Sequence, residues 1–210
     1  MRVIAVAAAM AVVVTTGVAW GKIRSFESGI NHINPVALGG GGEDGAIDIL
    51  LVGLDSRTDA HGNPLSADEL ATLRAGDDES TNTDTIILIR IPNNGESATA
   101  ISIPRDSYVE APGIGKMKIN GVYGSVHLEE MKQLVEVEGE DPTVAEPEAT
   151  AAGREELIKT VANLTGVTVD HYAEIGLLGF ALITDALGGV NVCLNEAVYE
   201  PLSGADFPAG

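Results

Sequence analysis

The chain has 210 residues, of which 45% are hydrophobic, and a formal net charge of −19 at pH 7. A chain of this length buries one substantial core, so we expect a single folded domain. Its 31 acidic side chains outnumber 12 basic ones and repel polyanions at long range, which excludes general nucleic-acid binding through a broad basic surface. The single cysteine, Cys193, excludes an internal disulfide and a zinc site built from several cysteines.

The amino-terminal segment is apolar. Residues 3–20 carry no charged side chain and, as a helix rising about 1.5 Å per residue, would just cross a bilayer core of about 30 Å. Small residues at 17–19 also fit a cleavage site, so the segment 1–24 is predicted to be either a transmembrane anchor or a signal peptide. Residues 25–45 include four consecutive glycines and are predicted to form a flexible linker before a folded domain at 46–210.

Three apolar runs predict the first strands of that domain. Residues 48–53 form a short apolar run that ends in glycine, which is typical of a strand buried on both faces. A polar stretch follows, with a short helix predicted around 67–74 behind the capping residue Ser66. Residues 85–91 and 98–103 are two further β-branched runs separated by Pro-Asn-Asn-Gly, which predicts a hairpin.

The next stretch is predicted to be helical at both ends. Apolar residues recur at helical spacing over 126–138, which predicts a helix. Residues 138–152 are acidic, contain prolines and show no period, so they are predicted to form a surface loop. A second helix follows, supported by a Glu155 to Lys159 pair and closed by Gly166.

The final part of the chain returns to strand patterns. Apolar and polar residues alternate over 167–175, which predicts a strand; a helix follows over 177–187, and another strand is expected to start at 190–192. Strands interleaved with helices predict an α/β fold, specifically an α-β-α sandwich with a mixed central sheet. Residues 204–210 are loop-like in composition, so we expect the domain to be incomplete at its carboxyl terminus.

Polar residues flank the predicted strands. Asp55 and Arg57 follow the first strand, Asp84 precedes the second, and Arg105 with Asp106 follows the third. If the first two strands pair antiparallel, these residues meet at one edge of the sheet. Ligands of open α/β sheets bind outside the carboxyl ends of the strands, so this edge is the predicted site.

This set of side chains suits phosphate chemistry. Magnesium is commonly held by one or two carboxylates together with substrate phosphates, which suits Asp55 and Asp84. Arginine offers a planar fork of donors to phosphate oxygens, which suits Arg57 and Arg105. The residues alone leave two alternatives open, phosphoryl transfer and simple acid–base pairing at a sheet edge. A haloacid-dehalogenase-type phosphatase is disfavoured, because its second aspartate would stand where Arg57 is.

Seven segments, in order, resemble motifs of the LytR-CpsA-Psr family: residues 50–57 (Leu-Leu-Val-Gly-Leu-Asp-Ser-Arg), 83–88 (Thr-Asp-Thr-Ile-Ile-Leu), 102–109 (Ser-Ile-Pro-Arg-Asp-Ser-Tyr-Val), 118–123 (Lys-Ile-Asn-Gly-Val-Tyr), 170–172, 179–180 and 187–190. Each alone is weak, but their common order is specific. The resemblance covers 46–210.

The resemblance implies an enzyme that transfers a phosphoglycan from a polyprenyl-pyrophosphate carrier to peptidoglycan on the outer face of the cell membrane, with a domain held there by a single membrane pass. It implies a divalent metal, Mg²⁺ or Mn²⁺, at Asp55 and Asp84. It assigns Arg105 to catalysis and to pyrophosphate binding, and it adds Arg57 and Lys118 to the pyrophosphate-binding residues.

The chain departs from the family pattern in three places. Many relatives carry arginine where Asn82 stands among the pyrophosphate-binding residues, and the stretch 58–81 looks longer than theirs. The arginine-rich segment and closing helix of the family would lie after residue 210, so residues 1–210 alone are expected not to transfer glycan. Two alternatives to transfer are a polyprenyl-phosphate-binding protein without catalysis and a pyrophosphatase in which water attacks.

Overall fold

The computed structural model describes residues 10, 12–18, 20–21, 24, 38, 44–59, 62–75, 81–201 and 205–210. Most of the predicted anchor or signal, and most of the predicted linker, lie outside these residues. In the part of the chain that the structure describes, no helix combines the length and the apolar character needed to span a bilayer.

Strands and helices are interspersed along the chain. The strands are β1 Ala46–Leu54, β2 Thr83–Pro92, β3 Thr99–Ser102, β4 Tyr108–Ala111, β5 Gly115–Lys118, β6 His171–Ile175, β7 Val198–Glu200 and β8 Ala205–Phe207. The helices are α1 Ala67–Leu73, α2 Val122–Lys132, α3 Pro142–Thr165 and α4 Leu177–Ala186. A 3-10 turn over Ile119–Gly121 precedes α2, and a π-helical turn over Gln133–Val137 extends it.

The main sheet has four strands in the order β3-β2-β1-β6. β1 runs antiparallel to β2 and parallel to β6, and β2 and β3 form an antiparallel hairpin. The predicted mixed sheet, hairpin and antiparallel pairing are therefore confirmed. β4 pairs with β5, and β7 pairs with β8, as separate two-stranded ribbons.

One face of the sheet carries the core. Residues of β1 alternate between buried and half-buried along the whole strand, so the expectation of equal burial on both faces is wrong. The buried face packs on the 3-10 turn and on α2 and α3 through a single cluster that includes Leu50, Val52, Ile86, Leu88, Ile119, Val122, Leu157, Ile158 and Val161. Each such aliphatic side chain contributes about 1.5–3 kcal/mol when buried. The second helical layer of the predicted sandwich stays a prediction.

The predicted surface loop over 138–152 is wrong, because α3 runs through most of it. The Asp141 side chain caps the helix by accepting from the Thr143 amide at 2.9 Å. Ala145 and Ala149 follow one turn apart and are fully buried, and alanine is the strongest helix former. Pro147 lies inside the helix, where it removes one backbone hydrogen bond without ending it.

Smaller differences concern element bounds. The helix predicted at 126–138 begins earlier, at Val122, and the strand predicted from 167 begins at His171. No strand is present over 190–192, and β8 lies in the stretch predicted as a loop. The β4–β5 ribbon had no counterpart among the sequence predictions. The Ser66 cap is confirmed by a capping box with Glu69.

A partly buried polar network joins α3 to β6. The Arg154 guanidinium donates to Glu174 through Nε at 2.9 Å and Nη2 at 2.7 Å. The Tyr172 hydroxyl donates to the same carboxylate at 2.6 Å. Burial and the neighbouring Glu174 charge raise the pKa of Tyr172 well above its ordinary value, so the hydroxyl stays protonated and remains a donor. The network thus fixes β6 against the helical layer.

Replacing Glu174 by alanine should lower the free energy of unfolding by about 2 kcal/mol, because it leaves the partly buried Arg154 guanidinium and Tyr172 hydroxyl without their shared acceptor. Urea unfolding followed by circular dichroism measures the change. The matched control is Glu155→Ala, which removes the more exposed ion pair to Lys159 within the same helix and should cost about 0.5 kcal/mol. Equal losses in the two variants would contradict the structural role of the network.

Candidate active site at the edge of the sheet

The loops at one edge of the main sheet bring the predicted residues together. β1 ends at this edge, β2 begins there, and the backbone amide of Asp55 donates to the carbonyl of Asn82 at 3.1 Å. The amide of Ile103 donates to the carbonyl of Ile86 at 2.9 Å, which carries the chain after β3 back to the same edge. The convergence predicted from antiparallel pairing is confirmed for these segments.

Asp84 lies in a β-bulge. Gly53 pairs with Thr85, but the next residue of β1, Leu54, pairs with Thr83, so Asp84 has no counterpart on β1. A side chain on Gly53 would place its Cβ only 3.0 Å from the Thr85 Cβ, a tight contact that favours glycine where the strands approach. Bulges redirect side chains at sheet ends and beside active sites. Here the bulge leaves the Asp84 side chain 41% exposed, directly after the fully buried Thr83.

The predicted acids and cations form ion pairs at this edge. Asp55 pairs with Arg57. The Asp84 Oδ2 atom lies 2.7 Å from the Arg105 Nη1 atom. The four side chains remain partly accessible, with exposed fractions of 30% for Asp55, 15% for Arg57, 41% for Asp84 and 51% for Arg105. The site is therefore two opposite-charge pairs at a solvent-accessible sheet edge.

Lys118 takes a different partner. Its Nζ atom donates to Asp106 Oδ1 at 2.6 Å, and this hydrogen bond lowers the pKa of the Asp106 carboxyl. Both side chains are mostly exposed. Lys118 stays near the site through the chain that follows it, since the amide of Asn120 donates to the carbonyl of Arg105 at 3.2 Å. The ammonium group itself belongs to the Asp106 pair, and its predicted contact with pyrophosphate stays a prediction.

Four residues at this edge were missing from the sequence-based site. The Thr83 hydroxyl donates to the Asn120 carbonyl at 3.3 Å, and a Cβ on Gly176 would meet the Ser56 Oγ atom at 2.6 Å. Ser56, Thr83 and Asn120 lie inside segments that carry the family resemblance, so that signal could have found them. Nothing local marks Gly176, because its contact comes from the parallel pairing of β1 with β6.

The donor set fits a metal that shares its coordination with phosphate. Among the described residues, no three or more His, Cys, Asp or Glu side chains are grouped to hold a metal ion. Mg²⁺ does not require such a cage, because it keeps waters and is commonly bound by one or two carboxylates plus substrate phosphates. Asp55 and Asp84 offer two partly exposed carboxylates at one edge, which matches that requirement.

Comparison with known proteins gives the class of protein. The family model described as LytR_cpsA_psr matches residues 21–210. The chain belongs to the LytR-CpsA-Psr family.

Particular relatives are similar to this chain over most of its length. It is 57% identical over 197 residues to the cell wall biosynthesis protein LcpA of Corynebacterium glutamicum, covering 90% of this chain and 37% of that protein. It is 31% identical over 145 residues to the polyisoprenyl-teichoic acid–peptidoglycan teichoic acid transferase TagU of Halalkalibacterium halodurans, covering 69% and 33%. The chain thus spans about a third of the length of these curated relatives.

A solved structure shares the fold. The crystal structure of B. subtilis TagV matches with a TM-score of 0.50 at 20% identity, over 79% of this chain and 50% of that one. At this level of identity the match shows an α/β fold with a mixed sheet in common.

The close approach of Gly176 to Ser56 can be tested through stability. Gly176 caps α4 with φ −87° and ψ 176°, a conformation open to alanine, so the substitution Gly176→Ala acts mainly through the clash with Ser56, with a smaller cost from the poorer N-cap. We expect it to lower the free energy of unfolding by about 1–3 kcal/mol. Adding Ser56→Ala removes the clashing Oγ atom and should restore most of the loss. A double variant no more stable than Gly176→Ala, with Ser56→Ala alone as reference, would contradict the contact.

Proposed function

We propose that this protein is a glycopolymer–peptidoglycan phosphotransferase of cell-wall biogenesis, taking its glycan from a polyprenyl-pyrophosphate carrier. The observation that carries the proposal is the pair of acid–arginine contacts, Asp55 with Arg57 and Asp84 with Arg105, at one edge of the sheet. Membership of the family supports the same conclusion, as does similarity to LcpA, a cell wall biosynthesis protein, and to TagU, a teichoic acid transferase.

The two acid–arginine pairs suit a ligand that carries both negative and positive charge. In a chain with a net charge of −19, a bare pyrophosphate is repelled, and each arginine is already neutralised by a carboxylate. A pyrophosphate bound to a divalent metal instead offers phosphate oxygens to Arg57 and Arg105, and the metal to Asp55 and Asp84. The two ion pairs then exchange partners without leaving any charged side chain unpaired.

Phosphoryl transfer asks the protein mainly to position groups and to offset developing charge. Arg105 and Arg57 bind and orient the pyrophosphate, and Asn82 and Lys118 add donors beside it. Magnesium or manganese, held by Asp55 and Asp84, would polarise the phosphoryl oxygens. A sugar hydroxyl of peptidoglycan forms the new P–O bond, the P–O bond to the carrier breaks, polyprenyl phosphate leaves, and the hydroxyl proton passes to solvent.

In the full-length protein, Asp55→Asn and Asp84→Asn should each lower metal-dependent turnover of lipid-linked glycan at least about a hundredfold, the scale of losing one electrostatic contact at a developing charge. Asp106→Asn is the matched control, because Asp106 lies at the same edge but pairs with the exposed Lys118. Mass spectrometry of the products measures turnover and identifies the acceptor.

Three outcomes would contradict this proposal. Wild-type turnover with unchanged Mg²⁺ dependence in both aspartate variants would reject the metal carboxylates. Free glycan phosphate as the only product would show that water attacks, as in a pyrophosphatase. Tight binding of the lipid without any product would show a binding protein.

The proposed chemistry requires a domain at the outer face of the cell membrane, where the lipid carrier and peptidoglycan meet. The uncharged stretch 3–20 supports one membrane pass, and the glycine-rich stretch 25–45 supports a tether between the membrane and the domain.

Protease added to intact, wall-stripped cells should therefore digest the domain while cytoplasmic controls survive, and the protein should fractionate with membranes. Full protection from protease would contradict the outer location. A mature soluble form that begins near residue 20 would show a cleaved signal instead of an anchor.

A further inference from the structure

Thr83 connects the start of β2, which carries Asp84, to the segment that carries Arg105. It opens β2, immediately before Asp84, and its side chain is fully buried. Its hydroxyl donates to the carbonyl oxygen of Asn120 at 3.3 Å. The amide of the same Asn120 donates to the carbonyl of Arg105 at 3.2 Å. The ion pair between Asp84 and Arg105 closes this set of contacts into a ring.

The β-bulge at Asp84 makes an additional contact beside it necessary. Asp84 has no partner on β1, so the regular ladder does not fix its backbone as it fixes the rest of β2. Its position depends on the two residues beside it. Thr85 is held closely against Gly53, and Thr83 is held by its pairing with Leu54 and by the bond to Asn120.

We infer that Thr83 is a positioning residue of this site: through Asn120, its buried hydroxyl sets where Asp84 stands relative to Arg105. The inference rests on the proposed function, in which those two side chains hold the metal and the pyrophosphate. A shift of either group changes the geometry offered to the transferred phosphoryl, so the effect falls on turnover more than on fold.

A second buried threonine provides a control position for Thr83. Thr160 in α3 is as deeply buried, yet its Oγ1 atom has no hydrogen-bond partner among the described residues. The two residues form a matched pair for testing, because valine has the same shape as threonine and lacks only the donor.

In the full-length protein, the substitution Thr83→Val should lower kcat for lipid-linked glycan about tenfold while KM changes little, since it removes one buried hydrogen bond from the ring. It should also raise the Mg²⁺ concentration needed for half-maximal rate, a change that loss of stability alone does not produce. Thr83→Ser keeps the hydroxyl and should stay close to wild type. Thr160→Val should leave kcat and the Mg²⁺ dependence unchanged.

Thr83→Ser and Thr83→Ala both lack the methyl group and differ only in the hydroxyl, so their comparison remains valid if the valine variant folds poorly. Calorimetric titration with inorganic pyrophosphate and Mg²⁺ separates the two proposals. If wild type binds pyrophosphate without any transfer, the proposed function fails, and weaker binding by Thr83→Ala than by Thr83→Ser still supports the positioning role. Equal turnover and equal pyrophosphate binding in the serine and alanine variants would overturn the inference.

Discussion

The antiparallel register of β1 and β2 is the constraint on which the rest of this molecule depends. At one end of the pair, Asp48 lies opposite Arg90, and its fully buried carboxylate accepts from the guanidinium at 2.9 Å. Burial raises the pKa of Asp48, and the neighbouring Arg90 opposes that shift. A slip of one residue would turn every side chain to the opposite face and separate this pair. The register is irregular at the other end, where the bulge presents Asp84.

The sequence predicted those elements that have a clear pattern of apolar residues or turn residues. Apolar β-branched runs located β1, β2 and β3, and Pro-Asn-Asn-Gly located the hairpin turn, so the shared edge with Asp55, Asp84 and Arg105 followed from antiparallel pairing. The bulge was not predictable in the same way, because it depends on which residues of two distant segments pair. The close approach of Gly53 to Thr85 becomes visible only when that pairing is known.

The helix α3 shows a second limit of structure prediction from the sequence. In its first half the buried residues are Ala145, Ala149 and Gly153, which repeat every four residues and are too small to produce a strong hydrophobic period. A Cβ on Gly153 would lie 2.8 Å from the carbonyl oxygen of Tyr123, so these small residues let α2 and α3 approach closely. Acidic residues and a proline on the remaining positions made the segment resemble a loop.

Strand β6 connects that helical layer to the candidate site. Glu174 is fixed to α3 through Arg154, and two residues later Gly176 lies against Ser56, between the paired Asp55 and Arg57. Because β6 runs parallel to β1, both strands deliver their carboxyl ends to the same edge, as ligand sites of α/β sheets require. The partly buried ion pair between Arg154 and Glu174 therefore contributes to more than stability. The pair holds β6 in place, and the end of β6 at Gly176 limits the position of the loop that carries Asp55 and Arg57. Continuous contacts therefore connect the core to the charged edge of the sheet.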